Sequence, residues 1–143
     1  MIEDEHSFTI KAPIQKTWDF ISDINKISSC LPGLEKAEQI DENTADITIK
    51  QKMGIIPFYV TIRNTITERH PPNKFVSVGT GEHLKEVKLT LELKEISPSE
   101  TEVHYKMQVE AGGNVKGMVE FMMNKKKEEQ TEKFVAALKQ KLE

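Results

Sequence analysis

The segment from Gly112 to Glu143 constrains this chain more than any other. It is the longest run that reads as a helix, and it carries two apolar stripes that do not line up. Val115, Met118, Val119 and Met122 recur at the i, i+3, i+4, i+7 spacing of one helical face. Gly112-Gly113-Asn114 ahead of them reads as a break followed by an N-cap. Phe134, Val135, Leu138 and Leu142 form the second stripe. At roughly 100° per residue it points about 160° away from the first. Between the stripes lies Asn124-Lys125-Lys126-Lys127-Glu128-Glu129-Gln130, charged all round. A straight helix cannot press both stripes onto one flat surface. Either it bends near residues 124–131, or a curled sheet wraps it, or its last turns meet another chain. The leading expectation is a helix wrapped by a curled sheet. A bend in the charged middle would let the second stripe pack against N-terminal helices around Trp18 and Phe20, in a mainly monomeric chain; pairing of the stripe with its copy would give a dimer.

The rest of the chain supplies the sheet. Ile2, His6, Phe8 and Ile10 alternate with Glu3, Glu5, Ser7 and Thr9, as in a half-buried strand, with Asp4 interrupting the apolar side. Pro13 opens a short amphipathic helix carrying Ile14, Trp18 and Ile21. Asp23 reads as the cap of a second helix, and Cys30-Leu31-Pro32-Gly33 ends it. From Leu34 the period becomes two. Ala45, Ile47 and Ile49 share one face; Phe58, Val60, Ile62 and Ile66 share another, with a bend at Met53-Gly54-Ile55-Ile56-Pro57 between them. His70-Pro71-Pro72-Asn73 turns the chain into a short strand, Phe75 to Val78, ended by Gly79-Thr80-Gly81. Val87, Leu89, Leu91 and Leu93 alternate with polar neighbours, as do Val103, Tyr105, Met107, Val109 and Ala111. Short turns between successive strands make an antiparallel meander with one covered face.

The 143 residues are read as one domain, 1–143, long enough to bury a core. A net charge of −3 offers no field for nucleic acid. The lone Cys30 excludes an internal disulfide and fits a reducing interior. The acidic start, Met1-Ile2-Glu3-Asp4-Glu5, is neither a signal nor a transit peptide, and no apolar run reaches the ~20 residues of a membrane span. A soluble, cytoplasmic protein is expected.

No catalytic set stands out. His6, His70, His83 and His104 are scattered without metal-ligand spacing, so no metal and no cofactor are expected. No nucleophile elbow, phosphate loop or dinucleotide fingerprint occurs. The informative residues are polar ones on inward faces: His6, Gln51, Asn64, Ser77 and Tyr105. An unpaired buried amide costs roughly 1–3 kcal/mol, so each needs a side chain, a water or a ligand as partner. With Phe58, Val60, Ile62, Phe75, Leu89, Leu91, Met107, Met118 and Met122 as apolar walls, they are the candidate lining of a cavity between sheet and helix. Satisfied core polars explain each of them singly as well.

The order strand, two short helices, six strands, long helix is that of the helix-grip fold, an α+β architecture. Ala12-Pro13, Trp18, Asp23 and Cys30-Leu31-Pro32-Gly33 resemble the opening of the CoxG-like family, named for the G component of carbon monoxide dehydrogenase. Met53-Gly54, Pro71-Pro72, Gly79-Thr80-Gly81, Thr101 to Tyr105 and Gly112-Gly113 fall where that family's pattern places them. The wider START/polyketide cyclase-like (SRPBCC) superfamily has an apolar cavity under the long helix. The resemblance therefore implies binding or carriage of an apolar small molecule or lipid. Its first alternative is an accessory or maturation role beside a molybdenum-containing carbon monoxide dehydrogenase. The second is a cyclase- or hydrolase-like enzyme using His6, Tyr105 or Asn64. The chain departs from the family in its charged helix middle, Lys125 to Glu129, and in stopping at Glu143.

Overall fold

A computed structural model describes residues 1–53 and 55–143. Its elements run β1 (Ile2–Ile10), α1 (Ile14–Ile21), α2 (Ile24–Ser28), β2 (Leu34–Gln39), β3 (Thr44–Met53), β4 (Ile56–His70), β5 (Lys74–Gly81), β6 (Leu84–Ser97), β7 (Glu100–Ala111) and α3 (Lys116–Leu142). The seven strands form one antiparallel sheet in the order β1-β7-β6-β5-β4-β3-β2. Only β1 leaves the meander, closing against β7 because α1 and α2 carry the chain across to the opposite edge. The expected helix grip is what forms.

Local chemistry explains most boundaries. The Asp23 carboxylate accepts from the Asn25 and Lys26 amides at 3.0 and 3.2 Å, which satisfies two orphan donors of α2. Gly33, at φ +75°, turns the chain out of α2 towards β2.

Three expectations are corrected. Asn114 is not the cap of α3: Val115 holds that position without a side-chain bond, and the helix starts at Lys116. β5 does not stop at Val78: it takes in Gly79-Thr80-Gly81 as its last three residues. A Cβ on Gly79 would stand 2.6 Å from both Asn64 Oδ1 and Ile62 Cγ2, so the glycine admits a side chain of the neighbouring strand rather than breaking the ladder. The helix is unbroken through 124–131, so curling of the sheet separates the two stripes' surroundings. Of the bend anticipated at residues 53–57, Gly54 lies outside the described residues; Met53 and Ile56 pair on either side of it.

Two apolar layers result. The larger joins Trp18, Ile21 and Ile27 to Phe75, Leu91, Val103 and the second stripe, Phe134, Leu138 and Leu142. The smaller, at the other end of the sheet, joins Ile2, Leu84 and Val109, with Val60, Ile62, Val119 and Met123 partly buried against it. Met107 packs against both. Among the described residues, no helix is long and apolar enough to cross a membrane.

Candidate functional site

Strand register sets the floor of the site. Because alternate residues share a face, the pairings generate rows across the inner surface. One row is His6, Tyr105, Leu91, Phe75. The next is Asp4, Met107, Leu89, Ser77, Ile66. The third is Ile2, Val109, Val87, Gly79, Asn64, Ala45. Beyond them Ile62 pairs with Ile47, Val60 with Ile49 and Phe58 with Gln51. The structure thus brings thirteen of the fourteen expected lining residues to one inner face and its covering helix. Their burial differs. Phe75, Leu89, Leu91, Tyr105 and Ser77 are buried, whereas Gln51, Phe58, Val60, Ile62, Asn64, Met107 and Met122 are only half-buried. Met118 does not join them: it is 50% exposed, on the outer side of the first turns of α3.

Two neighbouring lysines of the helix reach across this floor. Lys127 Nζ donates to the Glu3 carbonyl of β1 at 3.3 Å, and Lys126 Nζ to the Lys52 carbonyl of β3 at 2.6 Å. The charged middle that looked unsuited to a core is a strap between two strand ends. Past it, Phe134 lies over Tyr105, their ring centroids 5.7 Å apart and tilted by 44°.

A polar cluster sits where the two apolar layers meet. Asp4 is on the inner face of β1, its side chain 11% exposed. His6 Nε2 donates to Asp4 Oδ1 at 2.8 Å, and the buried Thr131 hydroxyl of α3 donates to Asp4 Oδ2. Tyr105 faces His6 at 6.4 Å between ring centroids. Burial pushes the Tyr105 phenol up to about 12; the nearby Thr131 hydroxyl opposes this and the Asp4 charge adds to it. His6 is not a core histidine, since its side chain remains 42% exposed. Asn64 donates from Nδ2 to the Ile62 carbonyl at 3.2 Å.

Asp4 and Thr131 were absent from the sequence-based lining. Both had a signal. Asp4 has the parity of Ile2 and His6, and Thr131 lies three residues before Phe134 on the buried stripe. What the sequence does not carry is their meeting, across 127 residues.

Elsewhere, a polar groove of about 390 Å³ lies between α1–α2 and the end of β4, lined by Asp19, Asp23, Asn25, Gln39 and Arg69. Another, of about 330 Å³, lies between Ile2 and the first turns of α3, beside Glu120 and Phe121. On the outer face, His104 Nε2 donates to Glu5 at 2.6 Å while its Nδ1 bonds with Ser7 Oγ at 2.8 Å, clipping β1 to β7. Burial raises the Cys30 thiol, opposed by a bond to Ser29 and by the charge of Lys141, which describes an inert core thiol. Among the described residues, no three His, Cys, Asp or Glu side chains converge as metal ligands.

Comparison with known proteins follows the same lines. Residues 7–143 match the family model for CoxG, the G component of carbon monoxide dehydrogenase. No curated protein matches the sequence. A conserved protein from Geobacillus kaustophilus superposes with a TM-score of 0.80 at 18% identity, covering 99% of this chain and 95% of that one. A START superfamily protein from Mycobacterium smegmatis gives 0.76 at 13% identity, with 98% and 96% covered. An aromatase/cyclase from Streptomyces gives 0.66 at 14% identity, with 99% and 93% covered. At these identities the superpositions establish the fold.

Proposed function

The chain belongs to the carbon monoxide dehydrogenase CoxG family, and from that premise we propose that it binds an apolar small molecule between its sheet and the first half of α3. One observation carries this. Phe58, Val60, Ile62, Met107, Val119 and Met122 belong to the inner face or the helix above it, yet none is fully buried. Inward apolar side chains left partly wet are surface that a ligand removes from water, at about 25 cal/mol per Å². Met107 and Met122 supply walls that adapt to shape.

The test is titration with a naphthalene-type fluorescent probe. Stoichiometric uptake is expected, and Ile62→Trp, which fills the space, should weaken it at least about ten-fold while the fold is kept. Unchanged affinity in that variant places the probe elsewhere and sinks the proposal.

A second reading, an accessory role beside a carbon monoxide dehydrogenase-type enzyme, draws on family membership and on one surface. Ile55 is 94% exposed and Ile56 67%, an apolar lip at the β3–β4 turn of the kind that partners cover. Co-purification of such an enzyme from the native host, lost in Ile55→Ser/Ile56→Ser, supports it; co-purification that survives the double substitution counts against this lip.

A further inference from the structure

Asp4 calls for a physical reason. A carboxylate 11% exposed on the inner face of β1 carries a desolvation cost that a neutral residue there would avoid. If joining β1 to α3 were its whole task, an amide or a hydroxyl could accept from Thr131 equally well.

The hydrogen inventory of the cluster shows what the charge offers. A carboxylate only accepts, so His6 Nε2–H and Thr131 O–H both donate to Asp4. With its one hydrogen used there, Thr131 has none left to give a ligand. Two donors are therefore turned inward on one carboxylate. What Asp4 and the His6 tautomer that donates to it offer a newcomer is acceptors: two of the four lone-pair positions of Asp4, and Nδ1 of His6. The other polar residues of the nearest rows, Ser77 and Asn64, are uncharged, and no lysine or arginine stands in the three rows. The ammonium groups of Lys126 and Lys127 are each held on a backbone carbonyl.

We infer that Asp4, with His6, Tyr105 and Thr131, is a head-group site selective for hydrogen-bond donors: the ligand is an amphiphile with a hydroxyl or amine head, and carboxylate-headed fatty acids are excluded. This rests on the proposed binding of an apolar molecule under α3 and adds the polar end of that molecule. A hydroxyl or ammonium head gains a charge-assisted bond to Asp4. A carboxylate head meets the like charge of Asp4, and neither His6 Nε2–H nor the Thr131 hydroxyl is free to donate to it, so its desolvation goes uncompensated there. The exposed side of His6 is the way in, since that ring is the least covered member of the cluster.

The experiment compares decanol, decylamine and decanoate, equal in chain length, as competitors of the naphthalene-type probe in one mildly alkaline buffer. Decanol and decylamine should displace it at concentrations at least about ten-fold lower than decanoate. Asp4→Asn, nearly isosteric and carrying its own N–H donors, should erase or reverse that order. Its melting curve reports whether the fold survives, and the wild-type comparison needs no variant. Equal potency of the three heads, or decanoate as the strongest, overturns the head-group assignment while leaving apolar binding intact. A probe that does not bind at all overturns the binding proposal, and this one with it.

Discussion

The two halves of α3 are made of similar residues and do different work. From Thr131 onward four side chains are buried, Thr131, Phe134, Leu138 and Leu142, and they reach the layer that holds Trp18. Before Lys127 no residue of the helix is buried, and Met118 and Phe121 are exposed. One continuous helix is thus anchored at its C-terminal end and laid across the sheet at its N-terminal end. Rise alone makes it about 40 Å long, so the two ends lie over different parts of the floor. Position, rather than apolar content, decides which stripe becomes core: the last turns meet α1, whereas the first turns pass over half-buried Val60, Ile62 and Met107. Local opening is expected where few apolar contacts hold an element, which assigns anchoring to the second half and ligand admission to the first.

The largest test of this contrast removes the anchor. Phe134→Ala should cost about 3–5 kcal/mol, because the ring is buried and packs on Tyr105. Leu138→Ala should cost about 2–5 kcal/mol, and the same truncation at Met118 under about 0.5 kcal/mol. Denaturant melts give all three. Equal losses at Leu138 and Met118 would show that the halves are held alike.

A second test reads the anchor through pH. The Tyr105 phenol is raised from 10.0 to about 12 in the folded chain, with burial as the main cause. The folded state therefore keeps its proton where the unfolded state loses it. The associated stability is fully present below pH 10 and is lost as pH rises through about 12. A shift of this size corresponds to roughly 2–3 kcal/mol. Between those limits the wild type should lose that much more stability than Tyr105→Phe does. Parallel losses would mean that the phenol is wet, and that Phe134 does not seal it.

Much of this was legible in the sequence, and what was not has physical causes. Period-two alternation placed Leu89, Leu91, Tyr105 and Met107 on one face, because parity is a local property of a strand. The Asp23 cap was equally local. Gly79 misled because glycine signals both a chain end and a close approach, and only the neighbouring Asn64 side chain distinguishes them. Helical periodicity gave both faces of α3 but not its height over the sheet, so Met118 reads as lining and stands in solvent. The Asp4–Thr131 pair joins the two ends of the chain, and no spacing rule reaches that far.

The smallest expected effect concerns the first turn of α3. A Cβ built on Gly117 meets nothing within 4 Å, although the residue lies inside a helix. Glycine there carries the entropic penalty of a flexible backbone and contributes no packing in return. Gly117→Ala should therefore stabilise the protein by about 0.5–1 kcal/mol, a rise of a few degrees in the melt. Because nothing is touched, the gain comes from the helix alone. The amides that follow should exchange more slowly, while probe affinity changes little, since no lining residue is altered. If the helix must loosen to admit the probe, its association rate should fall in this variant along with its dissociation rate. A loss of stability would mean that the new methyl group meets something, and that the first half of α3 is pressed down as firmly as the second.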